Sequence, residues 1–381
     1  MADNKDKKVL NVPALRFPEF TEEWEEHYLA EYLDFKNGLN PSANKFGSGI
    51  KFISVMDILN NDFITYDCIR TSVEITPEEQ VAFAVEKGDM LFQRSSETLE
   101  DVGRANVYMD DRPAVFGGFV IRGKKKAEYN PMFFRYLLAS PYARKKVIPM
   151  GAGAQHFNIG QDGLSKVKLH FPILQEQQKI ADLLRLINER ISTQNKIIEK
   201  LETLIKGIVE TVISSQKPNT LIKNCLECNS STLQESQVAE TGTFPVYGAT
   251  DISGYTETAG INGESILIIK DGSGVGTVKF VSGEYSYIGT LNSLTAKDGY
   301  CLKYIYFALQ RFSFEPYKTG MAIPHIYFKD YGKAKIYCPS FSLQTLIAQK
   351  LSLIENKMEM EKRIILCYQL QRSYLLSRMF I

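Results

Sequence analysis

No apolar run in the sequence approaches the ~18 residues of a membrane span, so no transmembrane segment is expected. The stretch Met1 to Lys8 is polar and charged with no apolar signal region behind it, so no secretory leader is expected either. Cysteine is sparse and scattered, six in 381 residues. That pattern gives no disulfide framework and suits a reducing cytoplasm. Histidine is scarcer still. His27, His156, His170 and His325 form no His-Glu-x-x-His spacing. Cys225-Leu-Glu-Cys228 has metal spacing but no second Cys/His pair at a suitable distance, so no metal is expected. There is no Walker lysine loop and no Asn-Pro-Pro-aromatic or Asp-Pro-Pro-aromatic tetrapeptide, and no Gly-x-Ser-x-Gly elbow. Net charge is nearly missing too: 45 Lys and Arg against 44 Asp and Glu, a formal +1. A uniformly basic coat for nucleic acid is thereby excluded.

One enzyme signature survives this search. Asp271-Gly272-Ser273-Gly274-Val275-Gly276 comes after the apolar run Ile266 to Ile269 and looks like a Gly-rich cofactor loop. Such a loop needs a helix after it, whose N-terminus meets the phosphate. The next residues are instead Thr277-Val278-Lys279-Phe280-Val281, a strand pattern, so a hairpin turn is the better expectation. No catalytic residue is assigned, and no cofactor is expected in this chain.

What the sequence does have is folded material: 44% hydrophobic and 23% charged residues, enough for two or three domains. It also repeats itself. Lys166-Val167-Lys168-Leu169-His170-Phe171-Pro172 resembles Lys333-Ala334-Lys335-Ile336-Tyr337-Cys338-Pro339, an offset of 167. The register then runs on without a gap: Gln177 with Gln344, Ile180-Ala181 with Ile347-Ala348, and Ile208-Val209 with Leu375-Leu376. Upstream the likeness is looser. Apolar helices are expected at 130–140 and 302–310, each followed by basic residues, a Gly (Gly151, Gly320) and a His (His156, His325).

After each proline comes a long heptad seam. The first runs Ile180, Leu184, Ile187, Ile191, Gln194, Ile198 and Leu201, continuing through Ile205, Ile208 and Val212. The second runs Ile347, Leu351, Ile354, Met358, Glu361 and Ile365, continuing through Tyr368, Arg372, Leu375 and Met379. From Ile180 to Val212 a helix spans about 48 Å. A helix that long needs a long partner, and the other copy is the candidate for an antiparallel coiled coil. Gln194 and Glu361 put a polar residue at the same step of both seams, a usual device for fixing register. Arg372 interrupts the second seam, so that helix is expected to fray or turn its face elsewhere near its end. The resulting layout is 11–172, a first globule; 173–214, a first long helix; 219–339, a second globule; and 340–381, a second long helix. The fold class is α+β, two mixed α/β globules joined by two long helices.

The near-zero charge is uneven. Residues 11–111 carry 8 basic and 20 acidic side chains, net −12, and residues 112–170 carry 11 and 2, net +9. Residues 303–335 carry 6 basic and 2 acidic side chains, net +4. The basic blocks fall at matched places in the repeat, and aromatics interleave them: Phe133, Tyr136, Tyr142 and Phe157, then Tyr304, Tyr306, Tyr317 and Tyr327. Lys and Arg with polar and aromatic residues on Gly-rich loops suit phosphate contact and base readout. A solvated basic face is the competing reading of runs such as Lys124-Lys125-Lys126.

These features together resemble the specificity subunit of type I restriction–modification systems. The likeness is carried by Leu15-Arg16-Phe17-Pro18-(x5)-Trp24, by Pro172-(x2)-Gln175-Glu176-Gln177-Gln178-(x)-Ile180-Ala181, and by its degenerate copy Pro339-(x4)-Gln344-(x2)-Ile347-Ala348. Phe244-Pro245-Val246-Tyr247-Gly248 followed by Gly254-Tyr255 is similar to the opening of many target-recognition domains. The resemblance implies that each globule is a target-recognition domain reading one half of a bipartite, asymmetric site in double-stranded DNA. It implies that the coiled coil sets the spacer and docks two methyltransferase subunits carrying S-adenosylmethionine chemistry. Restriction/motor subunits using ATP and Mg²⁺ would join through those methyltransferases. This chain itself would be non-catalytic and cytoplasmic, with no membrane partner. The second copy departs from the pattern: it lacks a Trp opening, and Leu343 and Thr345 stand where the first has Glu176 and Gln178.

Candidate DNA-contacting residues are Arg94, Ser95, Arg104, Lys145, Lys146, Gln155, His156 and Asn158 in the first globule. In the second they are Tyr247, Lys270, Ser273, Lys279, Lys318, His325 and Tyr327. For each, a surface loop residue or a satisfied core histidine is the competing reading. A coiled-coil adaptor joining two protein ligands without DNA binding is the alternative function, and a salt titration of DNA binding separates the two.

Overall fold

A computed structural model describes residues 10–381. The chain divides into two compact units: the residues up to Gln194 together with Ile364–Ile381, and Asn195–Arg363. Both long helices are therefore shared out between the units. Among the described residues no helix is long and apolar enough to cross a membrane.

In the first unit, Leu33–Asn37, Val120–Lys125, Met90–Gln93 and Ala105–Val107 form a four-stranded sheet in that order, antiparallel throughout. In the second, Leu226–Ser230, Leu291–Ala296, Ser265–Ile269 and Val278–Val281 form a sheet of the same plan. In both, the first strand of the four pairs with the last, which pairs with the second. The repeat is thus one of topology as well as sequence. A short apolar helix comes after each sheet, Pro131–Ala139 and Leu302–Gln310. Proline opens the first of these, its missing N–H costing nothing there, and the Asn130 side chain accepts from Phe133 N at 2.9 Å as its N-cap. Just before each long helix, a strand pairs back to the start of its own unit's globule: Lys168–Phe171 with Glu25–Tyr28, and Lys335–Ile336 with Thr220–Leu221.

The first long helix runs Leu174–Val209 and ends in a π-helical turn, Glu210–Ser214; the second runs Phe341–Arg378. In the first unit, Ile180, Leu184 and Ile187 are buried in one core with Leu375 and Met379, while Ile191 and Tyr368 pack against it. In the second unit, Ile347 and Leu351 share a core with Val209 and Ile213, flanked by Ile205 and Ile208. The beginning of each helix thus packs with the end of the other, an antiparallel pairing. Of the remaining seam positions, Ile198, Leu201, Ile354 and Met358 are half-buried and Ile365 is buried. Gln194 is half-buried, and its Oε1 has no hydrogen-bond partner among the described residues. Glu361 is 4% exposed and pairs with Lys357 one turn earlier.

Arg372 does not end the second helix, contrary to the sequence expectation. Its Nη1 donates to Asn188 Oδ1 at 3.2 Å, and Asn188 in turn donates to the Tyr136 hydroxyl. With the cation given an acceptor, the helix continues and Leu375, Met379 and Phe380 return to the core.

Two glutamines explain the Pro-(x4)-Gln motif. Gln177 Nε2 donates to Pro172 O at 2.9 Å while its Oε1 accepts from Asn130 N at 3.0 Å. Gln344 repeats this with Pro339 O at 2.8 Å and Cys301 N at 3.0 Å. Asn130 and Cys301 are the cap positions of the two short helices. Each glutamine therefore ties the first turn of a long helix to the start of a short one. The Leu15-Arg16-Phe17-Pro18 segment does a further job found in the first unit. Arg16 grips the fully buried Glu176 through two hydrogen bonds of 2.7 Å, Leu15 N donates to Arg378 O, and Trp24 meets Phe133 and Phe380 edge-on.

Candidate nucleic-acid interface

In the first unit the chain leaves the central strand Met90–Gln93, and Ser95–Ser96 pairs with Phe157–Asn158. Ala152 and Asn158 exchange both backbone hydrogen bonds at 2.9 Å, closing a loop over 153–157. Gly153 sits at φ +146°, and a Cβ there would lie 2.0 Å from His156 O, so the turn admits only glycine. Gln155, His156 and Asn158 are exposed on this loop. The Ser95 hydroxyl donates to Asn158 Oδ1, and Arg94 O accepts from Ile159 N at 2.9 Å. Arg94 is half-buried, its Nη1 donating to Gly118 O at 3.3 Å.

The second unit builds the same frame. Thr319 and His325 exchange backbone hydrogen bonds of 2.9 and 2.7 Å, closing a loop over 320–324. Gly320 lies at φ +90°, with Ile323 O 2.3 Å from where a Cβ would be. Asp271 Oδ1 meets His325 Nδ1 at 2.7 Å, and Lys270 O accepts from Ile326 N at 2.9 Å. Thr319 and His325 lie 167 residues beyond Ala152 and Asn158. The 167-residue register therefore reaches back to this loop without a gap, and small gaps enter only further upstream, where Asn130 and Cys301 stand 171 residues apart and Arg94 and Lys270 stand 176 apart. Gly320 answers to Gly153 rather than Gly151, and His325 to Asn158 rather than His156. Lys270 stands for Arg94 and Asp271 for Ser95. Asp271 and Thr319 are the site residues that sequence reasoning missed; the 167 offset, carried fourteen residues further back from Lys166 and Lys333, would have found Thr319.

The Gly-rich segment is a hairpin turn. Gly276 N donates to Ile269 O at 2.9 Å, Gly272 and Gly276 have φ of +102° and +92°, and strand Val278–Val281 comes next. Gly272 N donates to Pro324 O at 3.0 Å, joining this turn to the 320–324 loop, with Ser273 exposed. Lys318 adjoins that loop, its ammonium 2.5 Å from Glu315.

Other candidates lie outside the two loops themselves. Arg104 is exposed, bound to Asp101 at 2.6 Å, and lines a separate cavity with Arg135, Arg144 and Arg372. Lys146 sits over the Tyr142 ring and 3.6 Å from Glu26. Lys145 is exposed with no carboxylate within 4.0 Å among the described residues. Lys279 is paired with Asp251 and lies over Tyr247, whose ring meets Tyr285 edge-on. Tyr327 is half-exposed beneath Lys329.

Two expectations of a basic, aromatic face need correction. Phe133, Tyr136, Tyr304 and Tyr306 are core residues, at most 8% exposed, because they line the buried sides of the short apolar helices. Their hydroxyls are used internally: Tyr136 with Asn188, Tyr304 with Tyr337 O and Tyr306 with Glu355. The run Lys124-Lys125-Lys126 is paired residue by residue with Glu86, Glu128 and Asp34. Acidic side chains of the opening region thus neutralise part of the basic block locally. Cys225 donates to Ile222 O at 3.2 Å, and hydrogen bonding with Cys338, then burial, pushes its thiol pKa up.

The family described as "Type I restriction modification DNA specificity domain" matches residues 21–203 and 224–366, one stretch for each globule and its helix. The chain is 23% identical over 204 residues to the type I restriction enzyme MjaVIII specificity subunit of Methanocaldococcus jannaschii, covering 52% of this chain and 47% of that protein. It is 22% identical over 221 residues to the type I restriction enzyme StySPI specificity subunit of Salmonella potsdam, covering 58% and 46%. The chain thus spans about half the length of the curated relatives it matches. Among solved structures, the S subunit of a type I restriction–modification system from M. genitalium superposes with a TM-score of 0.67 at 17% identity, covering 97% of this chain and 99% of that one. A chain from a type I R-M system structure on complex assembly and conformational transition superposes at 0.55 and 13% identity, covering 93% and 96%. These two likenesses establish a shared fold. The family match extends over both repeats, and the chain belongs to the family of type I restriction modification DNA specificity domains.

Proposed function

We propose that this chain is the DNA-specificity subunit of a type I restriction–modification enzyme, each globule reading one half of a bipartite, asymmetric site. One observation carries the reading. Both units hold a loop in the same hydrogen-bonded frame, but they dress it with different side chains: Arg94, Ser95, Gln155, His156 and Asn158 against Lys270, Asp271, Met321, Ile323 and His325. A common frame with divergent tips suits two readers of unlike half-sites. The paired long helices set the spacer between them.

Two methyltransferase subunits dock on the helices and supply S-adenosylmethionine chemistry; restriction subunits using ATP and Mg²⁺ join through them, in the cytoplasm. This chain contributes recognition and no catalytic group. Exposed apolar residues favour such docking. On the second long helix, Leu343, Leu346, Leu353 and Met360 recur at helical spacing in the second unit, and Leu366, Leu370 and Tyr374 in the first. Such a stripe on a charged helix marks a protein contact.

The test is co-expression with the methyltransferase subunit, followed by mapping of methylated adenines in host DNA. A single bipartite motif that changes in one half when the 153–158 loop is replaced, and in the other when the 320–325 loop is replaced, is the expected result. Stable folding with no methyltransferase complex and no salt-dependent duplex binding would defeat it.

A further inference from the structure

We propose that the arginine-lined cavity of the first unit is an oxyanion site that takes a phosphate group. Arg104, Arg135, Arg144 and Arg372, from one loop and three helices, line a cavity of about 410 Å³, whose apolar wall includes Leu138 and Leu376. Arg104 is already paired with Asp101. The other three have no carboxylate oxygen within 4.0 Å among the described residues. Arg144 holds its place through Nη2, which donates to Glu100 O and Val102 O at 2.7 Å each, while its Nη1 is buried with no hydrogen-bond partner. Arg135 uses Nε on Asp62 O and Asn106 Oδ1, at 3.2 and 3.0 Å. Arg372 spends one nitrogen on Asn188. In each case one edge of the guanidinium is fixed by neutral acceptors and other N–H groups stay free.

This arrangement costs free energy without an anion. Burial pulls the pKa of Arg144 down to about 10, with Arg104 adding to the effect, and burial also lowers that of Arg135. Asp62 and Asp101 oppose these shifts only at longer range, and among the described residues Glu100 is the one acidic residue lining the cavity. A planar carboxylate accepts from two forks in one plane. Three guanidinium groups approaching from different elements match a tetrahedral oxyanion better, because it accepts from several directions at once. The site belongs to one repeat alone: at the 167 offset Arg372 corresponds to Ile205, so the second unit lacks it. It also explains why a charge interrupts the second seam.

The probe is inorganic phosphate added to the full chain at constant ionic strength, with chloride as the control salt. Phosphate is expected to raise the thermal midpoint saturably. Calorimetry is expected to show about a tenfold weaker affinity for Arg372→Gln and Arg144→Gln. Arg372→Lys keeps the charge but loses the fork, and is expected to fall between. Should Arg144→Gln fail to fold, Arg372→Gln, on a half-exposed helix, carries the test with its far-ultraviolet spectrum as control. A phosphate effect equal to that of chloride, or undiminished in Arg372→Gln, overturns the proposal. So does loss of methyltransferase assembly in that variant with no phosphate effect, which would mark the cavity as a seat for an acidic protein side chain. The duplex arm separates the phosphate's source. If it comes from a DNA backbone, Arg372→Gln lowers the salt slope of duplex binding by about one and inorganic phosphate competes with duplex. If it is free phosphate, the slope is unchanged. The phosphate titration stands whether or not the chain reads DNA, so its failure and failure of the proposed function are told apart.

Discussion

At the scale of single residues, the two loop glycines are among the most demanding positions. Gly153→Val and Gly320→Val would each drive a Cβ into a backbone carbonyl at a φ that side chains avoid. Each is expected to abolish recognition of one half-site while leaving the other intact, as read by methylation of duplexes altered in one half at a time. Because the loops are exposed, thermal stability should fall by only about 1–3 kcal/mol. Arg16→Ala is a different case. It strands the carboxylate of Glu176, which has no solvent exposure, and is expected to cost about 3–5 kcal/mol in denaturant unfolding. Arg16→Met combined with Glu176→Leu should recover most of that loss, since the second copy carries Leu343 at the matching position. The basic and glycine character of both loops was legible in the sequence. The Ser95–Asn158 and Asp271–His325 partnerships were not, because each joins residues more than fifty positions apart through a side chain whose aim no local pattern encodes.

At the scale of elements, the sequence foretold the long helices best, because a heptad seam repeats its own signal over many turns. It foretold their ends worst. Arg372 looked like a break when only periodicity was considered. Its acceptor, Asn188, comes from the other helix, and a pairing of that kind is invisible along one strand of sequence. The aromatic residues misled for a related reason. A tyrosine on a short apolar helix reads as a stacking platform or as core with equal ease, and only the sheet it packs on decides. The glutamine ties suggest a sharp measurement at this scale. Gln177→Ala and Gln344→Ala each leave a backbone N–H and a proline carbonyl without their partner, and should each cost about 1–3 kcal/mol. Near-equal losses in urea unfolding would fit their identical bonding, and a loss at one site alone would contradict it.

At the scale of the whole molecule, the small net charge proves to be a sum of local cancellations. Acidic residues of the opening region neutralise Lys124, Lys126, Lys146 and Lys168, which leaves positive charge unopposed at particular places. The proposed ruler role of the helices gives a prediction at this scale. Adding one heptad to each long helix lengthens each by about 10 Å and should widen the recognised spacer by roughly three base pairs. Both half-sequences should be unchanged, which sequencing of methylated sites would reveal; an altered half-sequence would contradict the ruler. The paired strands at the foot of each globule have one more consequence. Since Glu25–Tyr28 lies against Lys168–Phe171, and Thr220–Leu221 against Lys335–Ile336, the chain enters and leaves each globule through neighbouring strands. A recombination event that exchanged everything between those strands would splice a foreign globule onto unaltered helices, with no gap to bridge and no new loop to close. If each globule reads a half-site as proposed, specificity can therefore be inherited as an interchangeable cassette, and need not await the accumulation of point substitutions.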